Sequence, residues 1–212
     1  MTQKKRIRIM NIKTVKDRHY DTLDMGEYYN NLIGKIESNC SIFLYGTSGS
    51  GKSVFALLLA DYFAQKHGKV LYNSHEEAIK QSIRDRAINF NISANKLYIG
   101  DCIDFEDTIA KIRSNYYRMV ILDSVTYMQF TYEQLRTINE AFKKRKLIKV
   151  YVSFGTGYKK PTCSNDIMHA CDVKIFFNQG IAMIDSRYLH ETKKIQLFKP
   201  KQAGVVQQGQ LF

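Results

Sequence analysis

A short segment between residues 46 and 53 carries the pattern of a phosphate-binding loop, G-x-x-x-x-G-K-[ST]. Its residues are Gly46, Thr47, Ser48, Gly49, Ser50, Gly51, Lys52 and Ser53. The glycines permit backbone conformations that point N–H groups at an anion, while Lys52 can reach the outer phosphates and the Ser53 hydroxyl can hold Mg²⁺. An apolar run precedes the loop and a helix-compatible segment follows it. This context of strand, loop and helix predicts a nucleotide-binding site.

Two further apolar segments lead into acids. The run 119–123 ends at Asp123, the Walker B arrangement, in which a carboxylate holds the Mg²⁺ water shell beside the phosphates. Another predicted strand leads into Glu76 and Glu77, at the sheet edge where ligands of open α/β folds bind. We expect Glu76 to orient or deprotonate an attacking water. We expect Glu77 to close a capping box with Ser74 at the start of a helix.

From residue 41 onward, short apolar strands alternate with helical segments, which is typical of an α/β domain with a mostly parallel sheet. The predicted strands are 41–45, 69–74, 97–99, 118–123, 147–153 and 172–177, followed by a hairpin of 181–185 and 193–198. The predicted helices are 53–67, which ends at Gly68, then 104–117, and 131–143, which starts with a capping box of Thr131 and Gln134. We expect residues 1–40 to form an N-terminal arm, 41–200 the core and 201–212 a mobile tail.

Composition narrows the class of protein and of partner. A chain of 212 residues with 44% hydrophobic content fits one compact domain. Lys and Arg total 32 against 20 Asp and Glu, and the net charge of +12 favours a polyanionic partner, with nucleic acid as the leading candidate. The excess gathers at residues 4–8, 143–146 and 159–160, although a solvated surface explains each cluster alone equally well.

The sequence lacks the patterns of a membrane or secreted protein. It has neither a window of about 18 consecutive apolar residues nor an apolar N-terminal stretch, so we expect a cytoplasmic protein with no membrane partner. The 4 cysteines are widely spread and form no C-x-x-C pair, which argues against disulfides and a zinc module. The group of Cys163, His169 and Cys171 matches no standard zinc spacing, and inert side chains are the favoured interpretation.

In order and spacing, these motifs resemble the core of the RecA-like ATPases, most closely the RadA/Sms branch. The resemblance covers about residues 20–198 and rests on the phosphate loop, residues 72–77, the pair Arg86 and Ala87, residues 95–98 and residues 122–124. It implies a twisted central sheet, with ATP and Mg²⁺ bound between neighbouring subunits of a ring or filament that acts on DNA. By resemblance, Lys52 and Ser53 bind phosphate and metal, Asp123 supports Mg²⁺ and Glu76 activates water.

The resemblance also implies two DNA-binding loops, at positions 125–130 and 155–160. Their candidate contacts to single-stranded DNA are Tyr127, Phe130, Tyr158, Lys159 and Lys160. Aromatic rings can stack on bases, and the two lysines can contact phosphates. For the first loop, packing of its aromatic residues on the sheet edge is an equally good interpretation.

The chain departs from the family pattern at two positions. Where relatives end a strand with a polar sensor such as Gln or His, this chain has Phe154, which cannot hydrogen-bond a γ-phosphate. The Lys-Asn-Arg-Phe-Gly motif of RadA/Sms appears at 185–189 without its lysine but with Arg187. Arg187 is therefore the candidate for a charge supplied across a subunit interface, and an exposed turn arginine without a role is an equally good interpretation.

The zinc module and protease-like domain of RadA/Sms proteins have no counterpart in this sequence, so it resembles the motor core alone.

The leading interpretation is a Mg²⁺-dependent ATPase that acts on DNA in recombination, repair or replication as a homo-oligomer. A second interpretation, favoured by Phe154, is a nucleotide-gated binding module with little or no ATP turnover. A third, a small-molecule kinase, lacks an evident Arg-rich lid and gains no support from the charge.

Residues Gln208, Gly209, Gln210, Leu211 and Phe212 also resemble peptides that dock on bacterial sliding clamps, although an unstructured polar end is the favoured interpretation.

Overall fold

The computed structural model describes residues 9–156 and 159–197, which form one layered α/β unit. Its elements in chain order are α1 Ile12–Lys16, α2 Gly26–Ile33, β1 Ser41–Gly46, α3 Lys52–Lys66, β2 Val70–Ser74, α4 Gln81–Asn89, β3 Leu97–Asp101, α5 Phe105–Asn115, β4 Met119–Asp123, α6 Tyr132–Ala141, β5 Ile148–Phe154, α7 Asn165–Ala170, β6 Val173–Asn178, β7 Ile181–Ser186 and β8 Lys193–Gln196. No helix in the described segments is long and apolar enough to cross a bilayer.

The strands form one sheet in the order β3-β2-β4-β5-β1-β6-β7-β8. Strands β1 to β6 run parallel to one another, while β7 pairs antiparallel with β6, and β8 pairs antiparallel with β7 at the end of the sheet. The predicted α/β class, the mostly parallel sheet and the final hairpin are therefore confirmed. Strand β1 lies between β5 and β6, so the loop that follows it is flanked by backbone on both sides.

Successive side chains along the buried strands point to opposite faces of the sheet, so the core has two layers. In β1, Ile42 and Leu44 face one layer, whereas Phe43 and Tyr45 face the other. The first layer is covered by α2 and α3, and the second by α5, α6 and α7. Both faces of the parallel sheet are thus buried, as βαβ connections require.

Helix α3 is positioned by its apolar surface and by the signals at its ends. Nine of its residues are buried, which fits a helix pressed against the sheet. It stops where Gly68 adopts φ +138°, and the Gly68 N–H donates to the carbonyl of Phe63 at 3.2 Å. The predicted C′ glycine is confirmed, and so is the capping box of Thr131 and Gln134 that begins α6.

The prediction of an N-terminal arm over residues 1–40 is wrong for its second half. Met25 and Ile36 are fully buried, and Tyr29, Leu32 and Ile33 of α2 join the same core layer as α3. The spacing of these three residues is that of one apolar helix face, a short signal that eight residues barely display. Residues 25–36 therefore belong to the folded core. The segment 201–212, predicted to be mobile, lies outside the described residues.

Candidate nucleotide-binding site

The predicted phosphate, metal and water-activating residues meet at one edge of the sheet. Strands β1, β2, β4 and β5 are parallel, so their carboxyl ends, at Gly46, Ser74, Asp123 and Phe154, lie along the same edge. In parallel sheets this edge is the usual ligand crevice, because the loops that leave it face outward together. The site is therefore assembled by topology from segments far apart in the sequence.

The backbone of the phosphate loop requires glycine at its first position. Gly46 has φ +149°, and a Cβ atom there would lie 2.0 Å from the carbonyl oxygen of Phe177 on β6. On the other side, the Gly155 N–H donates to the Gly46 carbonyl at 2.8 Å. Gly51, with φ +102°, is the N-cap of α3, so the loop leads directly into a helix N-terminus. Backbone N–H groups and the positive end of the helix dipole then favour an anion here.

Lys52 is the buried cation of the loop. Its Nζ donates to the carbonyls of Gly46 at 3.0 Å and Thr47 at 2.8 Å, and lies 5.4 Å from the ring centroid of Phe154. Burial lowers the pKa of Lys52, an effect that Glu76 and Asp123 oppose. Within this site the ammonium is held by neutral partners, and a polyanion would be a stronger one.

Asp123 is a buried carboxylate whose chemistry fits a divalent cation. Burial raises its pKa, whereas a hydrogen bond from Tyr72 and the Ser53 hydroxyl lower it. Within the described residues, the Oδ1 atom of Asp123 is buried and makes no hydrogen bond. An orphaned carboxylate oxygen beside the loop serine matches the oxygen ligands that Mg²⁺ prefers, so Ser53 and Asp123 fit the predicted metal role. The peptide bond between Asp123 and Ser124 is cis.

Glu76 lies beside the end of β4 and is exposed. The Asp123 carbonyl accepts hydrogen bonds from the His75 N–H at 2.5 Å and the Glu76 N–H at 3.2 Å. Partial burial, then the charges of Asp123 and Glu77, raise the pKa of Glu76, while Lys52 and Arg86 lower it. A carboxyl with a raised pKa at this edge is suited to accept a proton from water.

Glu77 does not cap a helix, so the predicted capping box with Ser74 is wrong. Ser74 is the last residue of β2, and the next helix, α4, begins only at Gln81. The Glu77 carboxylate instead forms an ion pair with Arg86 at 2.7 Å and accepts a hydrogen bond from Ser82 at 3.0 Å. The pairing joins the connection after β2 to α4.

The first candidate DNA loop divides into an exposed and a buried aromatic residue. Tyr127 is 59% exposed, so its ring is available to a ligand. Phe130 is 5% exposed and packs against Phe105 and Tyr151, with ring centroids 5.8 and 5.5 Å away. A ring enclosed in the core cannot stack on a base, so the prediction of Phe130 as a DNA contact is wrong. It packs on the sheet, as the alternative interpretation expected.

The second candidate loop presents two cations. Lys159 and Lys160 are both exposed, and the Thr156 N–H donates to the Lys160 carbonyl at 2.8 Å. Tyr158 lies outside the described residues. The roles of Tyr127, Lys159 and Lys160 toward DNA stay predictions.

Residues Gln208, Gly209, Gln210, Leu211 and Phe212 also lie outside the described part of the chain, and clamp docking stays a prediction.

Arg187 lies at the opposite edge of the sheet from the phosphate loop. It follows β7, whose last residue pairs with Val173 at the start of β6. Its Nη1 donates to Asp172 Oδ1 at 2.8 Å, and Asp172 also accepts from the N–H of Ser41, the first residue of β1. Arg187 therefore does not serve the loop of its own chain; its predicted role across a subunit interface stays a prediction, beside the alternative of an exposed turn arginine that only pairs with Asp172.

The remaining candidates are explained by the fold. Of the basic cluster at 143–146, Lys143 pairs with Glu140, Lys146 pairs with Asp21, and Arg145 donates to the Ile112 carbonyl at 2.8 Å. Among the described residues, no three His, Cys, Asp or Glu side chains form a group that could hold a metal ion. The basic cluster at 4–8 lies outside the described residues.

Sequence reasoning missed Tyr72, the buried partner of Asp123. The Tyr72 hydroxyl donates to Asp123 Oδ2 from the neighbouring strand. A tyrosine inside an apolar strand was the available signal, because a buried hydroxyl usually finds a partner. Asn73 is a second missed residue: its side chain is fully buried and bonds both the N–H and the carbonyl of Ile103, which ties the β3–α5 connection to β2.

Comparisons with known proteins agree with this geometry. No protein-family model matches the chain. The DNA repair protein RadA of Helicobacter pylori is 36% identical over 80 residues, which is 38% of this chain and 18% of RadA, so the match spans less than a fifth of that relative. A KaiC-like protein from Pyrococcus horikoshii OT3 has a similar structure, with a TM-score of 0.60 at 16% identity over 83% of this chain and 94% of that one. The chain has the fold of the RecA-like P-loop ATPases.

Proposed function

We propose that the protein binds ATP at residues 46–53, hydrolyses it with the help of Mg²⁺, and acts on DNA as a homo-oligomer. The observation that carries the proposal is the meeting of Lys52, Asp123 and Glu76 at one sheet edge beside a helix N-terminus. A cation, a metal-binding carboxylate and a candidate base are the parts that hydrolysis of a triphosphate needs.

Each residue contributes a separate part of the reaction. The N–H groups of the loop and the ammonium of Lys52 bind the phosphate oxygens and stabilise the charge that develops on them. Ser53 and Asp123 would hold Mg²⁺, which supplies further charge neutralisation to the phosphates. Glu76 orients the attacking water and accepts its proton, for which it must be ionised. Most of the catalysis then comes from positioning and electrostatics.

Action on DNA is supported by charge, by exposed residues and by one relative. The net charge is +12, and Tyr127, Lys159 and Lys160 are exposed on connections that leave the same sheet edge as the phosphate loop. The curated relative that matches part of the chain is named a DNA repair protein. Stacking on Tyr127 and phosphate contacts by the lysines would bind a single strand without sequence preference.

Assembly is the part of the proposal that concerns Arg187. Since the guanidinium lies at the edge opposite its own loop, it would reach a γ-phosphate only in a neighbouring subunit. An Arg187→Ala variant should then lose turnover in the assembled state while it still binds ATP. An unchanged ATPase rate in assembled Arg187→Ala would contradict the role.

Steady-state ATP hydrolysis with and without single-stranded DNA, in wild type and Glu76→Gln, tests the function. We expect DNA to stimulate the wild type, and the substitution to lower turnover by about 10²-fold or more while ATP binding persists. Glu191→Gln, at an exposed position outside the predicted motifs, makes the same chemical change and is the control. Equal turnover by Glu76→Gln and wild type would refute the catalytic role of Glu76. Absence of DNA binding at low salt would refute the action on DNA.

Phe154 favours a second candidate function, a nucleotide-gated binding module. Its ring occupies the end of β5 and contacts Lys52, where the relatives of this chain are expected to place a polar sensor. An aromatic ring cannot hydrogen-bond a γ-phosphate, so ATP binding would switch assembly or docking with little turnover. Tight ATP binding by a wild type that does not hydrolyse it would identify this alternative.

A further inference from the structure

Three side chains connect the phosphate loop to the protein surface. The Nζ of Lys52 lies 5.4 Å from the ring centroid of Phe154. The Phe154 ring in turn meets the ring of Tyr127 edge to face, with centroids 5.6 Å apart and planes at 70°. Tyr127 is 59% exposed. One half-buried ring therefore separates the buried cation of the loop from an aromatic surface open to solvent.

The backbone around these rings is held by hydrogen bonds to side-chain hydroxyls. The Phe154 N–H donates to Thr126 Oγ1 at 3.2 Å, and the same oxygen lies 3.2 Å from Ser153 Oγ. The Tyr127 N–H donates to Ser124 Oγ at 3.4 Å. These bonds join the connection after β4 to the end of β5. A change at Phe154 is therefore expected to appear as a change in ring orientation rather than as a movement of the whole connection.

The contact between Lys52 and Phe154 is one that a bound anion would alter. Attraction of an ammonium to a ring face is weak compared with its attraction to phosphate oxygens. The carbonyl of Gly46, which also accepts from Lys52, is held in place by the Gly155 N–H and cannot follow the ammonium. A nucleotide that draws Lys52 toward its phosphates is therefore expected to weaken the contact of the ammonium with the Phe154 ring.

We propose that Phe154 is a positioning residue that transmits nucleotide occupancy from Lys52 to Tyr127, so that the exposed aromatic surface differs between the nucleotide-bound and free protein. The inference rests on the proposed binding of ATP at Lys52 and goes beyond it, because it names the route by which the surface responds. By linkage, if bound nucleotide changes the affinity of the protein for a ligand that stacks on Tyr127, that ligand changes the affinity for nucleotide by the same factor.

The absence of tryptophan from the sequence permits a direct optical test. Tyr127→Trp introduces a single indole at the end of the path, and its emission is followed while ATP, ADP or a non-hydrolysable ATP analogue is added with Mg²⁺. Nucleotide binding is measured separately by calorimetry on the same protein. We expect the emission maximum to shift, and the shift to saturate at the nucleotide concentration that saturates binding.

Two substitutions at Phe154 distinguish the effect of the aromatic ring from that of the apolar volume of the side chain. In Tyr127→Trp with Phe154→Leu, an apolar side chain remains but the aromatic ring is removed, and we expect no emission shift at full occupancy. In Tyr127→Trp with Phe154→Tyr, the ring is retained and the shift should return. Tyr98→Trp, at an exposed position on the edge strand β3, is the control and should not respond.

The outcomes distinguish this inference from the proposed function. A shift that persists in Phe154→Leu, or no shift in Tyr127→Trp while calorimetry shows bound nucleotide, overturns the inference and leaves the nucleotide site intact. A protein that keeps its secondary structure but binds no nucleotide overturns the proposed function, and the inference falls with it. A shift that disappears in Phe154→Leu and is restored in Phe154→Tyr supports both.

Discussion

The hydroxyl of Tyr72 on β2 donates a hydrogen bond to the carboxylate of Asp123 on the neighbouring strand β4. Tyr72 is fully enclosed, and burial, then the charge of Asp123, raises its pKa well above the ordinary value, so it stays a donor at all working pH values. The bond engages Oδ2 and leaves Oδ1 of Asp123 unpaired within the described residues. One oxygen is thus held by the protein, while the other is the one that the proposed Mg²⁺ site would use.

Tyr72→Phe should weaken Mg²⁺ binding at the proposed site, while the retained ring still fills its place in the core. Loss of the donor removes an effect that lowers the pKa of Asp123, and frees the carboxylate to rotate. We expect the Mg²⁺ concentration for half-maximal ATP hydrolysis to rise by about 10-fold, as is usual when a partner of a metal ligand is removed. Tyr151→Phe is the control, because that hydroxyl is buried without a hydrogen-bond partner among the described residues. An unchanged Mg²⁺ dependence in Tyr72→Phe would contradict the role.

Gly46→Ala should destabilise the fold and abolish ATP binding, whereas Gly49→Ala should do neither to the same degree. A Cβ on Gly46 would collide with the carbonyl of Phe177, while one on Gly49 has nothing within 4 Å. We expect a loss of about 3 kcal/mol in the free energy of unfolding for Gly46→Ala. For Gly49→Ala we expect about 1 kcal/mol, from its positive φ alone. Denaturant unfolding of both variants measures the difference, and equal losses would be contrary to the geometry.

The ion pair of Glu77 and Arg86 should make stability depend on pH. Burial raises the pKa of Glu77, but the hydrogen bond and charge of Arg86 outweigh this effect and lower it overall. A carboxyl with a lowered folded pKa stabilises the protein above its unfolded pKa of about 4.3, and the contribution disappears as pH falls through the folded value.

Glu77→Gln should therefore reduce the free energy of unfolding by about 1 kcal/mol at pH 7, since both side chains are only partly exposed. The difference from wild type should vanish at acid pH, below the folded pKa of Glu77. Glu191→Gln, at an exposed position, makes the same charge change as a control. A difference that stays constant from pH 7 down to acid unfolding would exclude this ion pair as its source.

The pH at which hydrolysis is lost on the acid side should be set by the ionisation of Glu76. Burial, Asp123 and Glu77 raise its pKa, so the fraction of ionised base falls at a higher pH than for an ordinary Glu. We expect the acid limb of kcat/KM to lie above pH of about 4.3 in wild type. In Glu77→Gln the limb should move to lower pH, because one neighbouring negative charge is removed. No movement of the limb would mean that another group controls it.

Lys159 and Lys160 should contribute to DNA binding through phosphates. Replacing both with Ala should weaken binding of single-stranded DNA, and should flatten the plot of log affinity against log salt by about 0.7 for each DNA phosphate that is no longer neutralised. Replacement of the exposed Lys13 and Lys16 of α1 gives the same change in net charge and is the control. Equal losses in both double variants would show that only overall charge matters.

Local signals in the sequence predicted the eight strands and the helices α3, α5 and α6, but not α1, α2 or α7, and they failed where contacts cross between elements. The loop at 46–53, the stop at Gly68 and the capping box of Thr131 depend on adjacent residues, and the fold contains the predicted strand-loop-helix unit, stop and cap. Strand order brings Tyr72 to Asp123 and encloses Phe130, and neither can be read from spacing. Glu77 illustrates the competition: its distance from Ser74 suits a cap, but Arg86 is the stronger partner.

Gly46 is held between β5 and β6, so the first residue of the phosphate loop has its place set when the central strands assemble. The conformational entropy of ordering this residue is spent during folding and not at the moment a nucleotide arrives. Binding strength should for that reason depend on side chains that never approach the ligand. A substitution that loosens the packing of β1 between its two neighbours would lower nucleotide affinity as a remote defect, with every contacting residue still present.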